Sequence, residues 1–276
     1  MNLYKKIPYL AYYFVRIFFK KPWIALQLVW WFVLHRICGK KSNRNFHWKW
    51  AILRYPGHVL WWWAIEEIFV NEYYKNLSGC NNILDLGGYF GESAVYLSRI
   101  NHHVDVYEAD PDIYTFMSEN IVRCSNVTGY NIAITANEEQ KMYFDDVGGY
   151  TMWGFLTTQK TSKVVACKHI RDILNIKHYD GIKIDIEWAE YPVVDWINQN
   201  YDRSRFEKWY VEFHFFNDEQ KGKIQILKDF LWLVRKQGTV KMYNAHLGLE
   251  IHDIDGHINI LQSQWWVIFI SFLKHA

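Results

Sequence analysis

The amino-acid sequence predicts an α/β protein built on a doubly wound, mostly parallel sheet that ends in an antiparallel hairpin. From residue 82 onward, short apolar runs alternate with helical patterns, which is the order expected of βαβ units. Beyond Gly238, strand-like runs follow one another without an intervening helix, and this indicates an antiparallel end to the sheet. The chain has 276 residues, of which 50% are hydrophobic and 18% aromatic, so the composition excludes disordered and collagen-like proteins.

The predicted elements alternate along the chain, which places helices on both faces of one sheet. Strands are expected at 82–86, 104–108, 129–134, 182–186 and 209–215, and helices at 92–99, 113–122, 191–198 and 220–237. Three further strands are expected at 239–244, 248–252 and 265–272, where they would form the antiparallel end of the sheet.

The first 65 residues differ in charge and composition from the rest of the chain. They hold 11 Lys and Arg and no Asp or Glu, whereas the remaining residues hold 20 Lys and Arg and 29 Asp and Glu. Eight of the 15 Trp also lie in this first part. We therefore place a boundary here, between a basic, aromatic-rich helical region at 1–65 and a second domain at 66–276.

Two apolar segments, at 9–19 and 23–34, are expected to form helices without a polar face. Each is shorter than the roughly 20 residues that a bilayer-spanning helix needs. Their flanking bases and many aromatic residues are typical of an anchor that lies on an anionic membrane surface, here peripheral to the cytoplasmic face. The alternative is that these helices pack on the second domain as a cap or form a dimer contact, and the sequence leaves the oligomeric state open.

The cysteine spacing bears on the cellular compartment, and the basic, aromatic segment at 47–50 bears on nucleic-acid binding. The four cysteines lie far apart without a C-x-x-C pair, so neither a disulfide framework nor a zinc site is expected, and a reducing, cytoplasmic compartment is favoured. Basic and aromatic residues interleave at 47–50, but no recognised nucleic-acid motif is present. Nucleic acid is therefore not an expected partner.

An apolar strand runs into a Gly-rich turn and then a helix at residues 83–92, I-L-D-L-G-G-Y-F-G-E. Gly87 and Gly91 remove side chains that would block a ligand, and the new helix offers unpaired N–H groups. A dinucleotide-binding turn would read G-x-G-x-x-G to receive a pyrophosphate. Here Asp85 closes the strand, and its charge would repel a pyrophosphate but suits a ligand with a cationic α-amino group. This disfavours a nicotinamide dehydrogenase.

The next predicted strand ends in Glu108, 21 residues after Gly87. In nucleotide-binding folds a carboxylate at this place accepts the hydroxyls of a ribose. The loop and this acid together predict a Rossmann-like nucleoside site.

Residues 180–190, D-G-I-K-I-D-I-E-W-A-E, resemble the K-I-D-x-E-G-A-E signature of the FkbM family of class I S-adenosylmethionine-dependent methyltransferases. The resemblance also includes N-I-A at 131–133 and E-F-H at 212–214. It implies that S-adenosylmethionine is the cofactor. Asp85, Gly87 and Gly91 would cradle its methionine part, Glu108 would hold its ribose, and Asn131 and Ala133 would flank its adenine.

Two residues depart from the family pattern. Tyr89 stands where Asn is common, and Trp188 replaces the Gly of the signature. An indole at position 188 would narrow or reshape the acceptor pocket. The alternative function is therefore a catalytically silent protein that keeps the fold and acts as a binding or scaffold protein.

Acidic residues and one histidine end two predicted strands that meet at the carboxyl edge of the sheet. Asp185 and Glu187 alternate along one strand and Glu212 and His214 along the next, so each pair points to one side. Methyl transfer to oxygen needs a base for the hydroxyl proton. His214 has the most suitable ordinary pKa, with Asp185 or Glu187 as the orienting group or alternative base. A divalent cation bound by these carboxylates is compatible with the site but not required.

These residues favour an O-methyltransferase that uses S-adenosylmethionine. The acceptor is expected to be a hydroxyl of a sugar, a glycan or another small polyol, because the FkbM family methylates such groups. Acids and a histidine at the strand ends suit a hydroxyl acceptor.

Overall fold

A computed structural model of the chain describes residues 15, 17–36, 44–48, 51–56, 62–138, 141–146, 154–157, 163–187, 189–200, 206–215, 224–244, 249–253 and 266–274. Its centre is an eight-stranded mixed sheet with packed layers on both faces. The predicted doubly wound α/β class is therefore confirmed.

The described helices and strands follow one another closely in sequence. The helices are α1 (Pro22–Arg36), α2 (Trp62–Ile65), α3 (Glu92–Leu97), α4 (Pro111–Ile121), α5 (Ile170–Leu174), α6 (Glu190–Asn200) and α7 (Ile224–Arg235). The strands are β1 (Arg44–Trp48), β2 (Ala51–Tyr55), β3 (Asn82–Leu86), β4 (His103–Tyr107), β5 (Val127–Tyr130), β6 (Ala133–Thr135), β7 (Lys141–Asp146), β8 (Gly154–Thr157), β9 (Lys163–His169), β10 (Gly181–Ile184), β11 (Lys208–Phe215), β12 (Gly238–Asn244), β13 (Leu249–Glu250) and β14 (Trp266–Lys274). A π-helical turn (Glu66–Val70) and a 3-10 turn (Tyr73–Leu77) connect α2 to β3.

The central sheet has the strand order β13-β12-β14-β11-β10-β3-β4-β5. The run from β11 to β5 is parallel. Strands β14, β12 and β13 continue it in antiparallel pairing, so the predicted antiparallel end is present. The strand order reverses between β3 and β10, and in such sheets the crevice beyond the carboxyl ends of these strands is where ligands bind.

The prediction of a single strand at 129–134 is wrong. β5 ends at Tyr130, and β6, which begins at Ala133, lies in a different sheet. β5 belongs to the central sheet, whereas β6 joins a second, four-stranded sheet of order β6-β9-β7-β8. Asn131 separates them: its side-chain amide donates to the backbone oxygens of Glu108 and Ala109 at 2.9 and 3.2 Å. These hydrogen bonds direct the chain across the end of β4, so the pairing of β5 with β4 does not continue beyond Tyr130.

Two hydrophobic clusters cover the two faces of the central sheet. One is formed mainly by α6 and α7 with residues such as Ile182 and Ile184 of β10. The other contains Ile83 and Met117 together with Ile24, Phe46 and Leu53 from the first 65 residues. Residues on both sides of the proposed boundary therefore share one core, and the division into 1–65 and 66–276 stays a prediction.

The described part of the first 65 residues is not wholly helical, which corrects the expectation for this region. Strands β1 and β2 form an antiparallel hairpin in which Ala51, Leu53 and Tyr55 are buried and Ile52 is exposed. Burial that alternates from one residue to the next is the period of a β-strand, and packing against α1 and α4 selects it here. Helix α1 lies along the hairpin, and only part of the predicted segment 9–19 falls within the described residues.

Candidate active site

A cleft lies at the carboxyl edge of the central sheet, where the strand order reverses. Residues 87–89 line it directly after β3. Glu108 lines it after β4, and Glu212 lines it from β11. Because β3 and β10 lie between β4 and β11, these two acids stand on opposite sides of the loop. The cleft therefore has a β4 side and a β11 side.

Two glycines permit the Gly-rich loop for different reasons. Gly87 has φ +86°, and a Cβ there would lie 1.7 Å from the backbone oxygen of Asp185, so only glycine allows the loop to approach the end of β10. Gly91 has φ +93° and precedes α3, but a Cβ there would meet Met117 and Ile121 at 3.3 and 3.2 Å. Gly87 lines the cleft, whereas Gly91 fits the loop against α4 and is not among the lining residues.

Glu108 is a buried carboxylate fixed by two backbone donors. Its two oxygens accept hydrogen bonds from the amides of Tyr89 and Asp110, each at 2.8 Å. Burial raises the pKa of Glu108 to about 7, and the charge of Asp110 acts in the same direction against these two donors and Lys183. Tyr89 reaches this contact with φ +47°, an unfavourable backbone conformation for a non-glycine residue. Each carboxylate oxygen retains a second lone pair for a ligand hydroxyl.

The two residues expected beside the adenine differ in position. Ala133 lines the cleft with Ile132 and Ile113, and together they form an apolar surface next to Glu108. Asn131 is not among the lining residues, and its side chain holds the backbone that follows β4.

Lys183 is a buried cation that the sequence analysis did not single out. Its ammonium lies 3.2 Å from Asp85 Oδ1 and 3.4 Å from Asp185 Oδ2, and it donates to the backbone oxygen of Gly87 at 2.6 Å. Burial alone would lower the pKa of Lys183, but the charges of Asp85 and Asp185 outweigh it and raise the pKa above its usual value. Lys183 thus ties the Gly-rich loop to β10.

Asp85 supports the loop from beneath. Its side chain is 0% exposed and is not among the lining residues of the cleft, and its Oδ2 accepts from the Ser93 hydroxyl at 2.6 Å. Burial raises the pKa of Asp85, while Lys183 and Ser93 oppose that rise. Ser93 belongs to α3, so Asp85 connects the strand before the loop to the helix after it.

His214 is buried at the end of β11 and is surrounded by carboxylates. Its Nδ1 lies 2.7 Å from Oε1 of Glu190, the first residue of α6. Its Nε2 lies 3.4 Å from Glu212, 3.6 Å from Glu187 and 3.9 Å from Asp185. Burial would lower the pKa of His214, but the charges of Glu187 and Glu190 raise it well above the ordinary value. The structure brings the three predicted strand-end carboxylates, Asp185, Glu187 and Glu212, together around the His214 ring.

Three of these carboxylates line the cleft, whereas His214 does not. β10 ends at Ile184, so Asp185 and Glu187 stand on the turn before α6, and Glu187 has φ +39°. Burial raises the pKa of Glu187 despite the neighbouring imidazole, and burial with the charge of Asp185 raises that of Glu212 to about 7. The catalytic roles assigned to Asp185, Glu187 and His214 stay predictions.

The turn between α2 and β3 adds a further acid and a phenol to the cleft. Glu67 lies in the π-helical turn and Tyr74 in the 3-10 turn, and both line the cleft. Burial and the charge of Glu212 raise the pKa of Glu67. Single π-helical turns are frequent at functional sites, and the position of this turn beside the cleft agrees with that tendency. No pattern in the sequence indicated this contribution.

A metal-binding geometry exists within the same cluster. One ligand atom each of Asp185, Glu212 and His214 lies within 4.8 Å of the other two. Carboxylate oxygens with one imidazole nitrogen suit several divalent cations. Trp188, the residue that replaces the signature Gly, lies outside the described residues.

Comparison with known proteins identifies the family. The model of the methyltransferase FkbM domain matches residues 85–241, from Asp85 to strand β12. No curated protein sequence matches the chain. Solved structures with a similar fold include the O-methyltransferase from Bacillus cereus in complex with SAH, with 13% identity, coverage of 74% of this chain and 78% of that one, and a TM-score of 0.39. They also include Trm5b from Pyrococcus abyssi, with 11% identity, coverage of 85% and 56%, and a TM-score of 0.45.

A third similar structure is the O-methyltransferase TomG from Streptomyces achromogenes in complex with SAM, with 9% identity, coverage of 74% of this chain and 77% of that one, and a TM-score of 0.39. These identities are too low to transfer a substrate or a residue role to this chain. The family match, in contrast, spans more than half of the chain and includes both the Gly-rich loop and the strand-end acids. The chain therefore belongs to the FkbM family of S-adenosylmethionine-dependent methyltransferases.

Proposed function

We propose that this protein transfers a methyl group from S-adenosylmethionine to a hydroxyl of a sugar, a glycan or another small polyol. The observation that carries the proposal is one cleft with Glu108 on its β4 side and three carboxylates on its β10 and β11 side. The first side suits a nucleoside, and the second suits hydrogen-bond donors such as hydroxyls.

The residues of the β4 side fit the cofactor. Glu108 is fixed by backbone donors and keeps lone pairs for the two ribose hydroxyls, and Ala133 and Ile132 offer an apolar surface to the adenine. The loop at 87–89 would lie beside the methionine part, where Gly87 keeps the backbone close to Asp185. Asp85, Gly91 and Asn131 would act through the loop and the backbone that they hold.

The acceptor hydroxyl would bind among the carboxylates on the other side. S-adenosylmethionine supplies the methyl group, and its carbon–sulfur bond breaks as the new carbon–oxygen bond forms. We assign the hydroxyl proton to Asp185, because this carboxylate lines the cleft and directly follows the strand next to the loop. His214 is 3% exposed and is bound to Glu190, so we assign it the positioning of the carboxylates. Glu187 would accept a hydrogen bond from a second hydroxyl of the acceptor.

A second arrangement of the same groups includes a divalent cation. It is favoured by the clustered ligand atoms of Asp185, Glu212 and His214. When bound, such an ion would stabilise the negative charge that develops on the acceptor oxygen. Dialysis against a chelator, followed by a rate measurement with and without added Mg²⁺, distinguishes the arrangement with a metal ion from the one without. A rate that is unchanged by chelation supports the arrangement without metal, and a loss that Mg²⁺ restores supports the second.

The cofactor part is tested by calorimetric titration of the full chain with S-adenosylhomocysteine and, separately, with NAD. We expect saturable binding of the first and none of the second. Binding of NAD alone would contradict the proposal. Binding of both would assign the cleft to nucleosides in general and remove the argument for a methyl donor.

The acceptor part is tested by transfer of a labelled methyl group to a panel of hexoses, deoxyhexoses, inositols and glycerol, with simple amines and catechols as comparison acceptors. We expect incorporation into at least one polyol, as an ether that mass spectrometry assigns to an oxygen. Incorporation into amines or catechols alone would overturn the polyol assignment. Cofactor binding without transfer to any acceptor would favour the alternative of a catalytically silent scaffold protein.

A further inference from the structure

Helix α1 and the helical residues 17–20 that precede it present an apolar, aromatic face to solvent. Phe19 is 83% exposed, Trp23 68% and Trp30 61%. Trp23, Leu26 and Trp30 recur at spacings of three and four residues, which places them on one face of the helix, and Phe19 precedes Trp23 by four residues. Exposed single apolar residues are ordinary, but an aligned group of this size marks an interaction surface.

The opposite face of α1 and of the helical residues before it is packed. Ile17, Ile24 and Ala25 are buried in the cluster that includes Phe46 and Leu53 of the hairpin. The side-chain amide of Gln27 also exchanges two hydrogen bonds with the backbone of His47, at 2.9 and 3.1 Å. The helix is therefore held in place by one face, and its orientation fixes where the aromatic face points.

Charge indicates the partner of this face. The first 65 residues hold 11 bases and no acid, and α1 carries no acidic residue in its sequence. Lys20, next to the exposed Phe19, is also exposed. A second copy of this chain would bring the same positive region against itself, which opposes pairing through this face. An anionic lipid surface offers both the negative charge and the interfacial layer in which Trp is stabilised.

We propose that the outer face of α1, formed by Phe19, Trp23, Leu26 and Trp30, docks the enzyme on an anionic phospholipid surface. Within the described part of the chain, no helix is both long and apolar enough to span a bilayer. Because the inner face of α1 is packed on the hairpin, the docking is interfacial, with the aromatic side chains entering the headgroup layer and the bases lying at the level of the lipid phosphates. The surface is remote in sequence from the cleft residues and is argued independently of the proposed acceptor.

The test is sedimentation of the full-length protein with vesicles of phosphatidylcholine, alone or mixed with phosphatidylglycerol. We expect binding to the mixed vesicles and at least about tenfold weaker binding to phosphatidylcholine alone. A triple variant, Phe19→Ser with Trp23→Ser and Trp30→Ser, should bind the mixed vesicles at least about tenfold more weakly, because it loses most of the apolar area that enters the lipid. Lys20→Gln should reduce the binding about fivefold.

A matched control replaces three apolar residues that are exposed elsewhere, Val122, Ile176 and Trp232, with serine. It should bind within about twofold of the unchanged protein, and the affinity of every variant for S-adenosylhomocysteine should be unchanged, which verifies folding. Equal binding by the triple variant and the unchanged protein would overturn the proposal. So would failure of the unchanged protein to bind the mixed vesicles, or sedimentation velocity that shows a dimer abolished by the triple substitution.

Discussion

Helix α1 turns Trp23 and Trp30 to solvent, whereas the carboxyl edge of the central sheet buries Lys183, Glu190 and His214. The two regions thus invert the usual distribution, with aromatic rings outside and charges inside. The inversion is compensated for these three residues, because Lys183 lies 3.2 Å from Asp85 and His214 lies 2.7 Å from Glu190. On the helix no described group covers the aromatic face, and the compensation would come from a partner.

The two regions differ in what their unusual residues cost in folding free energy. Burying charge costs free energy that ion pairs recover only in part, and the left-handed backbone of Tyr89 and Glu187 adds to this cost. Exposing aromatic area merely leaves a possible gain unused. Substitutions at the sheet edge should therefore have larger effects than substitutions on the outer face of α1.

The largest effect is expected for Asp185→Asn. Loss of a general base lowers the rate by about 10² to 10⁴ but hardly changes ground-state binding. We expect kcat to fall by this factor while the Kd for S-adenosylhomocysteine changes less than about threefold. Asp195→Asn, farther along α6 and outside the residues that line the cleft, is the matched control and should leave both constants unchanged. If His214→Ala lowers kcat more than Asp185→Asn does, the base is His214 and not Asp185.

Lys183→Met should have the next largest effect, this time on stability. The variant leaves Asp85 and Asp185 without their buried cation, and removal of one partner of a buried ion pair costs about 3–5 kcal/mol. Denaturant unfolding measures this as a lower midpoint with an unchanged slope. Lys241→Met, at an exposed position of β12, should change the free energy of unfolding by less than about 0.5 kcal/mol. Equal effects of the two substitutions would contradict the role of Lys183.

How far the sequence predicts each region follows from the kind of interaction involved. Strand β3 is buried on both faces and followed by Gly87, so it appears in the sequence as an apolar run that ends at a turn, and 82–86 is confirmed. The hairpin β1–β2 was missed because its segments are short and carry Arg44 and Arg54, and packing against α1 and α4 decides their conformation. Strands β7 and β9 of the second sheet were also not predicted.

The candidate site was predictable where the strand register determines it. Asp185 and Glu212 come at the ends of neighbouring parallel strands, which brings them to one edge. Lys183 precedes Asp185, the first residue after β10, by two residues, and the strand period predicts that both side chains point to one side, a signal that was available in the sequence. The pair of Glu190 with His214 joins a helix start to a distant strand, and nothing local in either segment indicates it.

Glu108→Ala should weaken cofactor binding, by a smaller factor than that by which Asp185→Asn lowers kcat. It removes charge-assisted hydrogen bonds to the ribose, which are worth about 1.5–3 kcal/mol, or about ten- to a hundredfold in affinity. Calorimetry with S-adenosylhomocysteine measures the effect, and Glu119→Ala, at an exposed position of α4, is the control. An unchanged Kd would show that the ribose lies elsewhere.

The pH dependence of cofactor binding sharpens the same assignment. Burial raises the pKa of Glu108 to about 7 in the presence of Asp110, Lys183 and Tyr89, which lie around it, and of Lys163, which pairs with Asp110. The ionised form is the better acceptor for hydroxyls, so affinity should fall as the pH falls through the pKa, by up to about tenfold for each pH unit below it. Glu108→Gln should flatten this profile, and a profile that it leaves unchanged would assign the dependence to another group.

The smallest effect is expected on the outer face of α1, for the stability of the Trp23→Ser variant. The indole is 68% exposed and contributes little to the core, so the free energy of unfolding should change by less than about 0.5 kcal/mol. Its neighbour Ile24 is 0% exposed and points to the hairpin, and Ile24→Ala should cost about 2–4 kcal/mol by loss of packing. Denaturant unfolding of the two variants, without lipid, compares the two faces of one helix directly. A cost at Trp23 that approaches the cost at Ile24 would mean that the indole is packed within the protein in solution, and the outer face would then be part of the fold rather than a surface kept for a partner.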